Sequence, residues 1–135
     1  MILIGILEDN HARVGRFGEA LHAADINATV IDHDNAPSFL QWLEDETRPI
    51  TLVSLDHDLV ESDRFEDRGT GMDVVRALCG RKASFPVIVH TSGPEHRREM
   101  TAALTAAGWT SAVLDPAGAA GLAAWAKLVR RLATT

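Results

Sequence analysis

Cysteine and lysine are scarce in this chain, and long apolar runs are missing. Its one cysteine, Cys79, excludes an internal disulfide and a Cys-rich metal centre. Cys79 falls inside an apolar helical pattern, which predicts a buried, inert thiol. No apolar run approaches the roughly 18 residues that cross a bilayer, which argues against a membrane-spanning helix. The opening "MILIGILEDN" is apolar but too short and too soon acidic for a secretory signal, so the expected location is cytoplasmic. Positive charge is the minority sign, with 13 Lys and Arg against 19 Asp and Glu and a net charge of −6. That argues against a binder of duplex nucleic acid, while leaving room for a local basic site.

What is present is a regular alternation. Short apolar runs at 2–7, 27–32, 50–56, 86–90 and 111–115 read as strands. Amphipathic stretches at 11–24, 36–46, 72–81, 95–108 and 121–133 read as helices. Pro37 stands in the first turn of the second helix, where its missing N–H costs little. Gly108 closes the fourth. Strands apolar along their whole length, alternating with helices, indicate a parallel sheet covered on both faces. The 135 residues fit one domain, 1–135, with enough core to fold alone. The longest irregular stretch is "VESDRFEDRGTG" (60–71), and a loop of that length is mobile or functional.

In an open parallel sheet, ligands bind beyond the carboxyl ends of the strands. Glu8, Asp9 and Asn10 follow the first strand. Asp56, His57 and Asp58 follow the third, and His90, Thr91 and Ser92 the fourth. If these strands are neighbours, three carboxylates and two histidines share one pocket. Crowded carboxylates need a cation or shared protons. Oxygen ligands from Glu8, Asp9 and Asp56 suit Mg²⁺. Nearby histidines shuttle protons or bring in a softer ion such as Mn²⁺ or Zn²⁺. Asn10 is expected to cap the first helix. A second Asp-His-Asp, Asp32-His33-Asp34, follows the second strand and is expected to serve caps and turns. His11 and His22 are expected at the surface. His96 reads equally as a helix-start or a site residue. Arg97 lies on a solvated face or holds a phosphate at a helix N-terminus.

"ILEDN", "LVSLD", "GMDVVRAL" and "PVIVHTS" resemble a response-regulator receiver domain. The resemblance implies a three-layer, flavodoxin-like (βα)5 fold with strand order 2-1-3-4-5. It implies an acidic pair at Glu8 and Asp9, a phosphate-accepting Asp56 and a switching Thr91. Receivers carry a Lys before the Pro after the fifth strand; here "VLDPAG" has Asp115, and the two lysines, Lys82 and Lys127, lie elsewhere.

A narrower resemblance covers "SLDHDL", "GTGMDVVRAL" and "HTSGPEHRREM". It is to the cyclic-phosphate processing receiver branch, whose pattern is close to L-D-H-D-L, T-G-x-D-V-V and H-S-x-N-P-x-G-R-x-N-M. Gly93, His96 and Glu99 depart from that pattern, standing for Asn, Gly and Asn. The resemblance implies catalytic roles for Asp56, His57 and His90. It implies phosphate contacts from Asp58, Thr91, Ser92 and Arg97, and a metal at Glu8, Asp9 and Asp56. The implied reaction is hydrolysis of a cyclic phosphodiester with a divalent ion, Mg²⁺ first and Mn²⁺ or Zn²⁺ next. Two other readings stay open: a phosphoacceptor module signalling through Asp56, and a phosphate sensor without turnover. The expected partners are a small phosphorylated or cyclic-phosphate ligand, with a homodimer or signalling partner also compatible.

Overall fold

A computed structural model describes residues 1–59 and 67–134. Residues 60–66 of the expected loop lie outside the described residues. Among the described residues, five strands alternate with five helices: β1 Ile2–Leu7, α1 His11–Ala23, β2 Ala28–His33, α2 Ala36–Asp45, β3 Leu52–Leu55, α3 Gly71–Cys79, β4 Val87–Val89, α4 Pro94–Ala106, β5 Ser111–Val113 and α5 Gly118–Ala133. All pair in parallel, in the order β2-β1-β3-β4-β5. The (βα)5 flavodoxin-like expectation is therefore met, with β3 at the centre of the sheet.

Strand side chains alternate between faces, and the core divides accordingly. Ile4, Ile6, Leu52 and Ile88 pack with Phe17 and Leu21 of α1 and Trp125 and Val129 of α5. Leu7, Val53, Leu55, Val87 and Val89 pack with Phe39 of α2, Val74 and Leu78 of α3 and Leu104 of α4. Full burial of such side chains contributes about 1.5–3 kcal/mol each before chain entropy is charged against it. Cys79 is half-buried rather than enclosed, because it lies at the last turn of α3, and its thiol reaches the carbonyl of Ala103 at 3.5 Å.

Helix starts follow local chemistry. Asn10 caps α1 as expected, its side-chain oxygen accepting from the Arg13 N–H at 3.0 Å. Asn35 caps α2 in the same way through Ser38 N–H at 2.8 Å. So the cap after β2 is Asn35, one residue past the Asp32-His33-Asp34 triplet. Asp32 and His33 belong to β2 itself. Thr70 and Asp73 form a reciprocal capping box at α3. α5 begins at Gly118, three residues earlier than the apolar spacing suggests, in a run of small residues that periodicity reads poorly.

Candidate functional site

The sheet register builds the site. Leu7, Leu55 and Val89 are level across β1, β3 and β4. The ladder extends one step further: Asp56 N–H donates to the Leu7 carbonyl at 3.0 Å, and His90 N–H to the Leu55 carbonyl at 2.9 Å. Glu8, Asp56 and His90 therefore form the next row. Each continues the alternation of Ile6, Ser54 and Ile88, which sit on the α1/α5 face. Three strands thus deliver two carboxyls and an imidazole side by side, with donor atoms within 4.8 Å of one another.

His90 has no exposed surface, and both ring nitrogens are engaged. Nδ1 lies 2.6 Å from the Ser54 hydroxyl and Nε2 3.1 Å from Oε1 of Glu8. Trp125 Nε1–H donates to the same hydroxyl at 3.0 Å. An indole N–H can only donate, so Ser54 accepts from it and turns its own proton to His90 Nδ1. Burial lowers the His90 pKa, opposed by Glu8, so the ring is neutral with its proton on Nε2. It donates that proton to Glu8. A polarised chain thus runs from Trp125 of α5 through the sheet to the pocket. Phe17 closes it edge-on, with ring centroids 5.1 Å apart.

Glu8 also accepts from the Asn10 N–H at 3.1 Å and from Arg13 at 3.4 Å. Burial alone would raise its pKa. The hydrogen bonds from His90 and the Asn10 amide, with the charge of Arg13, outweigh burial and bring it to about 2. Asp56 moves the other way. Burial first, then the neighbouring Glu8 charge, push it up to about 8, partly offset by the His57 N–H that Oδ1 accepts at 2.8 Å. The pair therefore carries one negative charge and one proton near neutrality. Asp9 is buried beside them.

The rest of the tripeptide turns outward to the rim. His57 Nδ1 lies 2.7 Å from Oδ1 of the exposed Asp58. His96, in the first turn of α4, stacks on His57 with centroids 3.5 Å apart and planes within 8°. The junction requires Gly71. A Cβ there would overlap the carbonyl oxygen of Asp56, while the Gly71 N–H donates to the His57 carbonyl at 2.9 Å.

Thr91 is buried, its hydroxyl accepting from the Gly93 N–H at 3.3 Å, and Ser92 is exposed at the same turn. Arg97 is half-buried on α4, and among the described residues its guanidinium has no ion pair. Asp115 is exposed and accepts from the Ala117 N–H at 3.0 Å, a turn role. His22 lies at the surface, as does His11, whose Nε2 is 3.6 Å from Asp34. His33 packs against Phe39 and Trp42 instead of entering the pocket. Arg13, Ser54 and Trp125 were not legible as site residues. The serine inside the apolar "LVSL" was the available signal.

Oxygen donors dominate the pocket. A cation would replace the proton that Asp56 is forced to hold, so Glu8, Asp9 and Asp56 fit a hard divalent ion. Both nitrogens of His90 are committed, which makes it a partner that orients Glu8.

Fold and strand-end acids define a receiver domain of the response-regulator type. Similar folds include a receiver domain from Rhodospirillum rubrum, 19% identical, TM-score 0.70, over 98% of this chain and 91% of that one. The Mn²⁺-bound response regulator Rcp1 is 17% identical, TM-score 0.73, over 100% and 97%. The phosphorylated cyanobacterial phytochrome response regulator RcpA is 16% identical, TM-score 0.69, over 96% and 89%. A search of curated proteins returned no match. The profile of the cyclic-phosphate processing receiver domain matches residues 12–106, and the chain belongs to that family. Among the described residues, no helix is long and apolar enough to cross a membrane.

Proposed function

We propose that this receiver domain processes a small phosphate ester, a cyclic phosphate by the family's name, with a divalent cation held by Glu8, Asp9 and Asp56. The carrying observation is that one tripeptide serves two adjoining places. Asp56 enters a buried pocket short of positive charge, and His57-Asp58 forms a dyad at its rim. That Rcp1, which shares this fold, has an Mn²⁺-bound form supports a metal here, and the oxygen donors of this chain favour Mg²⁺.

The cation, when bound, neutralises charge on a phosphate oxygen. The chain's own residues do the rest. Asp58 accepts from His57 Nδ1–H and so leaves the lone pair on Nε2. That nitrogen takes a proton from an attacking water, or returns one to the departing ribose oxygen. The free N–H groups at the start of α4, the Ser92 hydroxyl and Arg97 meet the anion. Thr91 shapes the turn that carries them. His90 is a positioning residue, because it reaches Glu8 and no solvent.

The test offers 2′,3′- and 3′,5′-cyclic nucleotides with Mg²⁺, Mn²⁺ or Zn²⁺ and follows ring opening. A second arm offers acetyl phosphate and follows the mass of the protein. Ring opening that disappears in His57→Ala supports the proposal. A phosphoryl group on Asp56 without ring opening would overturn it in favour of signalling.

A further inference from the structure

The rim holds a second set of donors that the acidic pocket does not use. His57, Asp58 and His96 place one ligand atom each within 4.8 Å of one another. His57 Nδ1 is 2.7 Å and His96 Nε2 is 3.9 Å from the same oxygen, Oδ1 of Asp58. Neighbouring ligands of a tetrahedral ion with bonds of about 2.0–2.1 Å stand about 3.3 Å apart. The two separations bracket that spacing. The rings stack with planes within 8°, so their in-plane lone pairs run parallel, and His96 has to rotate out of the stack to share an ion with His57. We propose that His57, Asp58 and His96 form a second divalent-metal site, of nitrogen-rich character and suited to Zn²⁺, at the rim of the acidic pocket.

Donor chemistry separates the two sites. Two imidazoles and one carboxylate prefer a borderline transition metal, whereas the pocket's carboxylates prefer a hard ion. Three protein ligands leave a fourth position open, as catalytic zinc sites do. His96 contributes a ligand that the family pattern does not hold, since that pattern has Gly at the position. The Nδ1 atom of His96 is sealed from solvent and has no partner among the described residues. No second hydrogen bond therefore locks the ring, and it can turn toward an ion. For the same reason the site binds less tightly than one whose histidines are anchored from behind.

Binding at His57 Nδ1 displaces the proton there to Nε2. The lone pair on Nε2 is then gone. Zn²⁺ at this site therefore antagonises proton transfer by His57, a consequence that rests on the reaction proposed above. The binding itself does not rest on it.

The experiment titrates ZnCl2 into the full chain in excess Mg²⁺ by calorimetry, with Co²⁺ absorption as a report of nitrogen ligation. The expected result is one Zn²⁺ per chain, weakened about tenfold or more in His96→Ala and in Asp58→Asn. Glu8→Gln should leave Zn²⁺ affinity unchanged while weakening Mg²⁺. Both rim substitutions lie outside the core, and circular dichroism checks that they fold. Zn²⁺ affinity unaffected by both rim substitutions, or lost only in Glu8→Gln, would overturn the assignment. Mg²⁺ binding insensitive to Glu8→Gln would overturn the acidic metal site and leave the zinc result standing.

Discussion

The Nε2 of His90 stands 3.1 Å from Oε1 of Glu8, and neither side chain has any exposed surface. The contact joins residues 82 positions apart in sequence. It ties the pocket's permanent anion to a hydrogen-bond chain that ends on α5. Glu8 is thereby held ionised and oriented before any ligand arrives.

Ser54→Ala should break that chain at its middle. The Trp125 N–H and His90 Nδ1 would each lose a buried partner. Unmade buried hydrogen bonds cost about 1–3 kcal/mol, and urea unfolding should show a loss of that order. A loss below about 0.5 kcal/mol would mean that the hydroxyl is dispensable.

Asp56 sets the pH dependence of the metal-free protein. Its pKa is raised from 3.8 to about 8, so the folded state keeps a proton that the unfolded state sheds. Stability from this group therefore falls as pH climbs from about 4 to about 8. Glu8 has the opposite sign: lowered from 4.5 to about 2, its contribution is present above 4.5 and lost toward 2. The metal-free protein should be more stable near pH 5 than near pH 8. Asp56→Asn should flatten the alkaline decline, with a gain on the order of 1 kcal/mol or more at pH 8. A pH profile unchanged by Asp56→Asn would refute the assignment.

Metal binding should release a proton. At pH 7 Asp56 is protonated, so a bound Mg²⁺ displaces about one H⁺, and release should fade above pH 8. Calorimetry in buffers of different ionisation enthalpy reads this number directly. Asp56→Asn should abolish release and weaken Mg²⁺ sharply. Asp32→Asn, at the exposed edge of the sheet, should leave Mg²⁺ affinity alone. Equal effects of the two substitutions would count against the pocket.

Gly71→Ala should move the junction between β3 and α3. The added methyl would meet the Asp56 carbonyl and the Met100 side chain. Overpacking of this kind costs about 1–3 kcal/mol, and backbone cannot yield as a side chain does. Thermal unfolding tests the loss of stability. Weaker Mg²⁺ binding in the fraction still folded would show that the shift reaches Asp56.

Much of this was legible in the linear chain, because periodicity and caps act over about ten residues. The apolar runs located all five strands, and Asn10 announced the first helix. Boundaries slipped where the signal was weak, as at Gly118, where alanine and glycine carry little amphipathic pattern. The two Asp-His-Asp triplets show the limit most clearly. Leu7 pairs with His33 on one side and Leu55 on the other. One triplet is thus partly inside an edge strand, while the other begins just past the central one.

The alternation of elements, the family and the acids at the strand ends are each written in a short contiguous pattern of the linear chain. Tertiary structure alone decided which of those residues meet. Parallel strands are joined by helical crossovers, so level neighbours are distant in the chain. Ser54 reaches His90 across 36 positions and Trp125 across 71. The row of Glu8, Asp56 and His90, the opposite pKa shifts within it and the stack of His57 on His96 all arise from that register. Burial and proximity, not residue identity, made His90 an anchor for Glu8 and left His57 to face the rim.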